Sequence, residues 1–229
     1  MEPNVNAQDV SGKKPSLFGM ITSPSVQFER MKTKSPVWGA FFLFVIITAI
    51  IASITTYQAM NNPEALANIP DPEVAKMAGY FSIGIGVIGG LIGTIFWFFV
   101  VAGIYKIIMM FMGNDTPYMK VLSIYLYTYT ITILGAIVNL ILKLIIGGSA
   151  ETSYTSLAPL FEPGTYLHGA ASAFEVFSIW GLVVMGLGLQ IVAGLSKKQA
   201  TTIIVIFFIL SVAFSSLSGI ASSFSNLGQ

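Results

Sequence analysis

The chain has 229 residues, of which 55% are hydrophobic and only 9% are charged. A soluble domain carries about a quarter charged residues, so this composition excludes an ordinary soluble globular domain and predicts an integral membrane protein. A net charge of +1 gives no information about an acidic partner, and no nucleic acid is expected to bind. With no Cys and a single His, disulfides and thiolate or His-clustered metal sites are excluded, and no cofactor is expected.

The first 35 residues are a polar segment ahead of the apolar part of the chain. They contain no apolar run near the start, which argues against a cleavable signal peptide, so residues 1–35 are predicted to be a cytoplasmic N-terminal tail. Within the tail, Ser23 and Pro24 are a typical N-cap and first helical residue, which predicts a short amphipathic helix from Pro24. Two interpretations stay open: a connector whose cations reach anionic headgroups, or an interfacial helix that docks a partner.

Five apolar stretches follow, and each is long enough for a helix to cross a hydrocarbon core of about 30 Å. The predicted spans are Val37–Tyr57, Phe81–Phe111, Val121–Leu142, Ala173–Val192 and Thr201–Phe224. The second is about ten residues longer than a straight crossing needs, so it must tilt, kink at its glycines or project beyond the bilayer. The predicted fold class is all-α, a bundle of five transmembrane helices over residues 36–229.

The distribution of Lys and Arg predicts the orientation, because positive residues are retained on the cytoplasmic side of a membrane. With the N-terminus in the cytoplasm, nine of the 11 cations fall inside, and only Lys76 and Lys143 fall outside. The inner cations are Lys13, Lys14, Arg30, Lys32, Lys34, Lys106, Lys120, Lys197 and Lys198. Five spans then place the C-terminus outside, in a multi-pass protein of the cell membrane.

Two outer loops are predicted between the spans. Asn61–Ala78 contains three prolines and is typical of a short, semi-extended loop. Gly147–Ser172 is longer, and its apolar residues would let it lie back on the bundle. His168 in this loop is predicted to be a surface residue. On the inner side, Asn114–Thr116 fits a glycosylation sequon that its cytoplasmic position would keep silent.

Several segments of the chain resemble one family, the Yip1-domain proteins. The first is similar to the family's N-terminal segment, the second to its inner loop and third span, and the last to its fourth span and the following loop. These segments are Phe18–Arg30 with Pro36, Gly113 with Tyr118 and Val121–Ser123, and Glu175–Leu189 followed by Leu195–Ala200. Their order agrees with the five-span layout.

The resemblance implies a non-catalytic integral membrane protein, and the short N-terminal tail resembles the bacterial members, which places the protein in the bacterial cytoplasmic membrane. Eukaryotic relatives act in vesicle traffic with small GTPases. Some bacterial relatives accompany MacA/MacB-like ABC exporters that protect against peptide toxins. The third span departs from the family pattern at Tyr125–Thr130, where the family often places a proline, so no proline kink is expected there.

Two of the predicted spans carry small residues at helical spacing. Small residues allow helix backbones to approach closely inside lipid. The glycines of the second span are predicted to form a packing groove within the chain, or else a seam for a homodimer or partner. The serines of the last span are predicted either to pack within the chain or to face a partner. The glycines are Gly86, Gly89, Gly90 and Gly93, and the serines are Ser211, Ser215, Ser218 and Ser222.

A few polar side chains lie within the predicted spans. Glu175 is about one turn inside the outer end of the fourth span, and Lys143 ends the third span at the same level. A charge inside a span tends to be paired or hydrated, so the two are predicted to form a structural ion pair or to snorkel to the interface, with a ligand or partner contact as the alternative. Asn139 and Gln190 are predicted to hydrogen-bond to neighbouring helices.

No catalytic constellation is found in the sequence, which lacks a phosphate-binding glycine loop and a nucleophile with its base. The favoured function is a non-catalytic scaffold or accessory subunit that contacts the lipid bilayer and other integral membrane proteins, with ABC exporter subunits as candidate partners. A homo-oligomer is compatible with the small-residue faces. The alternatives are a small transporter or channel, which a continuous polar path would favour, and a membrane enzyme, which a buried titratable cluster would favour.

Overall fold

The computed structural model describes residues 13–60, 71–147 and 153–227. These residues form eight α-helices and one short 3-10 helix, Ala158–Leu160. The helices are α1 Leu17–Thr22, α2 Pro24–Met31, α3 Trp38–Met60, α4 Pro72–Phe111, α5 Tyr118–Ile146, α6 Tyr166–Ser172, α7 Val176–Ile191 and α8 Lys197–Leu227. The described part of the chain contains no strand, and the all-α fold class is confirmed.

Five membrane crossings can be built from these helices. Four helices, α3, α4, α5 and α8, are each long and apolar enough to span a membrane. The fifth candidate is a pair, α6 and α7, bent by 49° at the short break between them. α7 alone has 16 residues, or about 24 Å, and falls short of the hydrocarbon core. The predicted span Ala173–Val192 is therefore not one continuous helix, because it begins inside this break.

Turns with a left-handed glycine reverse the chain after α4 and α7. Gly113 and Gly194 have φ values of 77° and 71°, which a residue without a Cβ adopts at little steric cost. α5 then begins after Pro117, whose fixed φ suits the entry to a helix. The long helices consequently run antiparallel to their neighbours in the chain.

α5 is the central helix of the bundle. It packs against α3, α4 and α7, and also against α1. Its side chains Leu122, Ile124, Leu126 and Ile131 are fully buried. The other long helices expose many of their large apolar side chains on the outside, where lipid covers them. The hydrophobic core therefore runs along α5.

The N-terminal helices α1 and α2 belong to the same core. The predicted helix start at Pro24 is confirmed. Phe28 and Met31 are fully buried, and a Cβ placed on Gly188 of α7 would lie only 2.8 Å from the Phe28 ring. The absence of a side chain at Gly188 thus lets α2 approach α7. The apolar face of this amphipathic segment packs into the bundle, a placement that neither sequence interpretation anticipated.

Hydrogen bonds tie together the connections at one end of the bundle. Asn114 Nδ2 donates to Ala193 O at 2.8 Å, which joins the α4–α5 and α7–α8 connections. Lys120 Nζ donates to Lys32 O at 3.4 Å, which adds the α2–α3 connection. We call this the basic end, since Lys and Arg residues in or beside these three connections lie there. The predicted orientation requires these cations to lie at one end of the bundle, as they do. Which end faces the cytoplasm stays a prediction.

Candidate functional site

The four glycines of α4 lie in two different surroundings. A Cβ on Gly86 would lie 2.9 Å from Thr56 Oγ1 of α3, and a Cβ on Gly90 would lie 3.3 Å from the Cβ of Ala52. These two glycines therefore line a close helix–helix contact within the chain. The other two are not part of that contact, because a Cβ would meet no atom within 4 Å at Gly89 or Gly93.

The same contacts set the register between α3 and α4. Gly86 lies beside Thr56 and Gly90 beside Ala52, so the last residue of α3 is level with Ser82. The first ten residues of α4, Pro72–Phe81, thus extend past α3 by about 15 Å. The apolar stretch of α3 has 21 residues, or about 31 Å, and already crosses the hydrocarbon core. Taking that stretch of α3 as the part inside the core places Pro72–Phe81, which we call the projecting segment, beyond it.

The projecting segment exposes large apolar side chains. Val74, Met77, Tyr80 and Phe81 have exposed fractions of 48, 69, 75 and 72%. Inside the hydrocarbon core such side chains are covered by lipid, but outside it they face a polar layer, where exposed apolar patches mark interaction surfaces. The projecting segment precedes almost all of the predicted second span, Phe81–Phe111, and it is a candidate docking surface.

The serines of α8 do not form one continuous face. Gly169 of α6 packs against the backbone carbonyl of Ser215, at a distance that leaves no room for a Cβ on that glycine. Ser218 is exposed, and its hydroxyl donates to Ser215 O of its own helix at 2.8 Å. Ser211 likewise donates to Phe208 O, at 2.7 Å. The side chain of Ser222 lies outside the described residues. The stripe is thus divided between an internal contact with α6 and an outward surface.

Glu175 caps the N-terminus of α7 at the break in the fourth span. Its carboxylate accepts hydrogen bonds from the backbone N–H groups of Phe177 and Ser178, at 3.1 and 2.6 Å. A negative charge at a helix N-terminus is stabilised by the unpaired N–H groups and the helix dipole. This position explains why a carboxylate occurs near the end of a span. The ion pair between Glu175 and Lys143 stays a prediction.

Thr155 joins three separate parts of the chain at the same place. Its hydroxyl accepts from Asn139 Nδ2 and donates to Glu175 Oε1, both at 2.6 Å. Its backbone N–H donates to Asn139 Oδ1 at 3.3 Å, and its carbonyl accepts from Val176 N at 3.0 Å. All three polar groups of Thr155, its hydroxyl, N–H and carbonyl, are therefore used. No signal in the sequence points to Thr155, because a single Thr in a long loop has no distinguishing pattern.

The remaining polar candidates have local roles. Gln190 Nε2 donates to Gly186 O, one turn earlier in the same helix, at 3.1 Å, so the prediction of a bond to a neighbouring helix is wrong for this residue. Asn139 bonds to Gly135 O of its own helix, at 3.1 Å, as well as to the loop residue Thr155. His168 is half-buried in α6. Among the described residues, no group of three or more His, Cys, Asp or Glu side chains could hold a metal ion.

Comparison with known proteins agrees with this architecture. The Yip1 domain matches residues 18–219, which is nearly the whole chain. The chain is also 34% identical to the membrane protein YknW of Bacillus subtilis (strain 168) over 228 residues, which cover 97% of this chain and 98% of that relative. No solved structure matches. Together with its apolar helices, these matches show that the chain is a multi-pass bacterial membrane protein that belongs to the Yip1 domain family.

Proposed function

We propose that this protein is a non-catalytic membrane scaffold or accessory subunit that holds another integral membrane protein through the projecting segment. The observation that carries the proposal is the exposure of four large apolar side chains on a helix end outside the hydrocarbon core. A partner that covers them would gain on the order of 1–2 kcal/mol for each side chain removed from the polar layer.

The projecting segment is well suited to present these side chains in a fixed geometry. It is the first part of one continuous helix, and the Asp71 side chain caps that helix by accepting from Glu73 N at 2.8 Å. Farther along, α4 is held against α3 where Gly86 and Gly90 allow close approach. A surface that is ordered before binding loses less conformational entropy when a partner docks.

The partner class that we propose is an ABC exporter of the MacA/MacB-like type, with protection against a peptide toxin as the role of the assembly. The support for this choice is the resemblance to bacterial Yip1-domain proteins that accompany such exporters. The predicted orientation places the projecting segment on the outer side of the membrane. There it would meet the extracytoplasmic parts of an exporter.

The proposal is tested by purifying the tagged protein from its native membranes in mild detergent and identifying co-purified proteins by mass spectrometry. We expect exporter subunits at a constant ratio to the protein. Changing Tyr80 and Phe81 together to Ser should remove them, because the docking surface loses two large apolar side chains. The matched control is Phe111→Ser, at the other end of α4, where the side chain is 88% exposed. This control should leave the recovery unchanged.

Two results would contradict the scaffold proposal. One is equal recovery of the exporter with the wild-type protein and with the Tyr80 and Phe81 double variant. The other is solute flux through the purified protein alone in liposomes, which would indicate a transporter. A separate variant, Ser218→Phe, tests whether the outward surface of α8 also contributes, since Ser218 is exposed.

A further inference from the structure

A narrow, half-open cavity lies between α4, α5, α7 and α8. Its volume is about 220 Å³. Its lining covers Tyr125 to Thr132 on α5 and Ser178 to Met185 on α7, each a length of about 10 Å along the helix. The cavity is closed at one place by Tyr105 of α4, which stacks on Phe207 of α8 with ring centroids 3.7 Å apart. We call this cavity the trough.

The trough connects with the lipid-facing surface of α4. A second cavity, of about 440 Å³, shares Tyr125, Tyr129 and Val101 with the trough and extends to Gly93 and Trp97. Trp97 is 54% exposed, and no atom lies within 4 Å of a Cβ built on Gly93. This second cavity therefore forms a mouth through which a molecule dissolved in the bilayer can reach the trough from the side.

Polar groups without a protein partner face the trough. Tyr105 is only 2% exposed and lines the trough, and its hydroxyl has no hydrogen-bond partner among the described residues. The same holds for the hydroxyl of Tyr125. Both hydroxyls are open to the trough, so a ligand that supplies an acceptor there gains a hydrogen bond. No Asp, Glu, Lys or Arg lines the trough or its mouth, which favours an uncharged ligand.

The dimensions of the trough limit which ligands can fit into it. A volume of about 220 Å³ over a length of about 10 Å leaves a cross-section of about 20 Å², far below that of an α-helix with its diameter of about 10–12 Å. A transmembrane helix cannot enter, but one extended hydrocarbon chain can. A dry cavity of about 150 Å³ is already large enough to bind benzene, so the trough can hold a longer apolar group.

The depth of Tyr125 in the membrane indicates which hydrogen-bond acceptor the ligand supplies. Tyr125 lies seven residues, or about 10 Å, from the start of α5. α5 is about 43 Å long, which matches a bilayer with its headgroups, so a polar layer of about 6–7 Å covers each end of the helix. Tyr125 is thus just inside the hydrocarbon boundary, at the level where the ester carbonyls of glycerolipids meet their acyl chains.

We infer that the trough binds one acyl chain of a glycerolipid, whose ester carbonyl accepts a hydrogen bond from the Tyr105 hydroxyl and whose headgroup stays at the basic end. The inference goes beyond the scaffold proposal and is independent of it, because the trough and the projecting segment share no residue.

The test uses the full chain in nanodiscs of phosphatidylethanolamine and phosphatidylglycerol that carry a trace of a phospholipid with a diazirine in its acyl chain. After photolysis, peptide mapping should place the label preferentially on the trough-lining parts of α5 and α7. Tyr105→Phe should lower this labelling about fivefold, the equivalent of one neutral hydrogen bond. The control Tyr166→Phe, on α6 and lining neither cavity, should leave it unchanged.

A second pair of variants tests the mouth. Gly93→Leu should abolish the labelling by blocking entry, whereas Gly89→Leu on the same helix should not, since Gly89 has the same open surroundings but does not line either cavity. The thermal stability of each variant shows whether it is folded. If Gly93→Leu does not fold, Tyr105→Phe still tests the inference. Label spread evenly over all lipid-facing helices would overturn the inference. Equal labelling of Tyr105→Phe and its control would also overturn it.

Discussion

Replacing Thr155 by Val removes one hydroxyl and keeps the shape of the side chain. The hydroxyl makes two hydrogen bonds of 2.6 Å, one from Asn139 Nδ2 and one to the carboxylate of Glu175. The backbone bonds of Thr155 to Asn139 Oδ1 and from Val176 N are unaffected by the change. The substitution therefore isolates what the hydroxyl contributes to holding the loop between α5 and α7.

The expected cost can be worked out from the partners that remain. A hydrogen bond to a charged group contributes about 1.5–3 kcal/mol and a neutral one about 0.5–1.5 kcal/mol. After the change, Asn139 Nδ2 still donates to Gly135 O, and Glu175 Oε1 still accepts from Phe177 N, so neither group is left without a partner. The site is also only partly buried, and hydrogen bonds in membrane proteins average about 0.6 kcal/mol. We expect a loss of about 2 kcal/mol.

The assay is reversible unfolding by sodium dodecyl sulfate in mixed micelles, followed by far-ultraviolet circular dichroism. The matched control is Thr202→Val in α8, where the exposed Thr hydroxyl donates only to Lys198 O of its own helix, at 3.0 Å. The control should change the free energy of unfolding by less than about 0.5 kcal/mol. If Thr155→Val unfolds at the same detergent fraction as this control, Thr155 does not hold the loop as described.

Three further predictions use the same assay or a topology reporter. Gly86→Leu should destabilise by about 1–3 kcal/mol through overpacking against α3, whereas Gly89→Leu should be near neutral; equal effects would mean that the two glycines share one environment. In a double-mutant cycle, Lys143→Ala and Glu175→Ala should together cost less than the sum of the single changes, and strict additivity would reject their ion pair. A reporter fused at Gln199 should report the cytoplasm, and an outside signal there would reverse the predicted orientation.

The glycines of α4 show how much of the helix packing their spacing in the sequence could predict. The spacing of Gly86 and Gly90 predicted a close helix contact, and the structure places both against α3. The same spacing applied equally to Gly89 and Gly93, yet these face open space. Periodicity identifies the residues that share a helix face, but which face meets a neighbouring helix depends on the rotation of that helix in the bundle.

The polar residues show a similar limit. Glu175 could be singled out from sequence because a carboxylate within a span is costly. Its role as the cap of a broken span could not be predicted from the sequence. That role depends on where the break lies and on Thr155, which belongs to a loop 20 residues earlier. The N-terminal segment was also recognised as helical and amphipathic. Its burial against Gly188 depends on a contact between residues 160 positions apart in the chain.

The sequence by itself determined that this protein lies in a membrane, that it is all-helical with several membrane-spanning helices, and that it resembles the Yip1 domain family. These properties follow from composition and local apolar length, because each helix must satisfy its own backbone hydrogen bonds in lipid. Only the tertiary structure decided that α4 projects past α3, that the fourth span is broken at Glu175, and that α1 and α2 enter the core. These features depend on register, helix rotation and long-range packing, which are set by how distant side chains fit together.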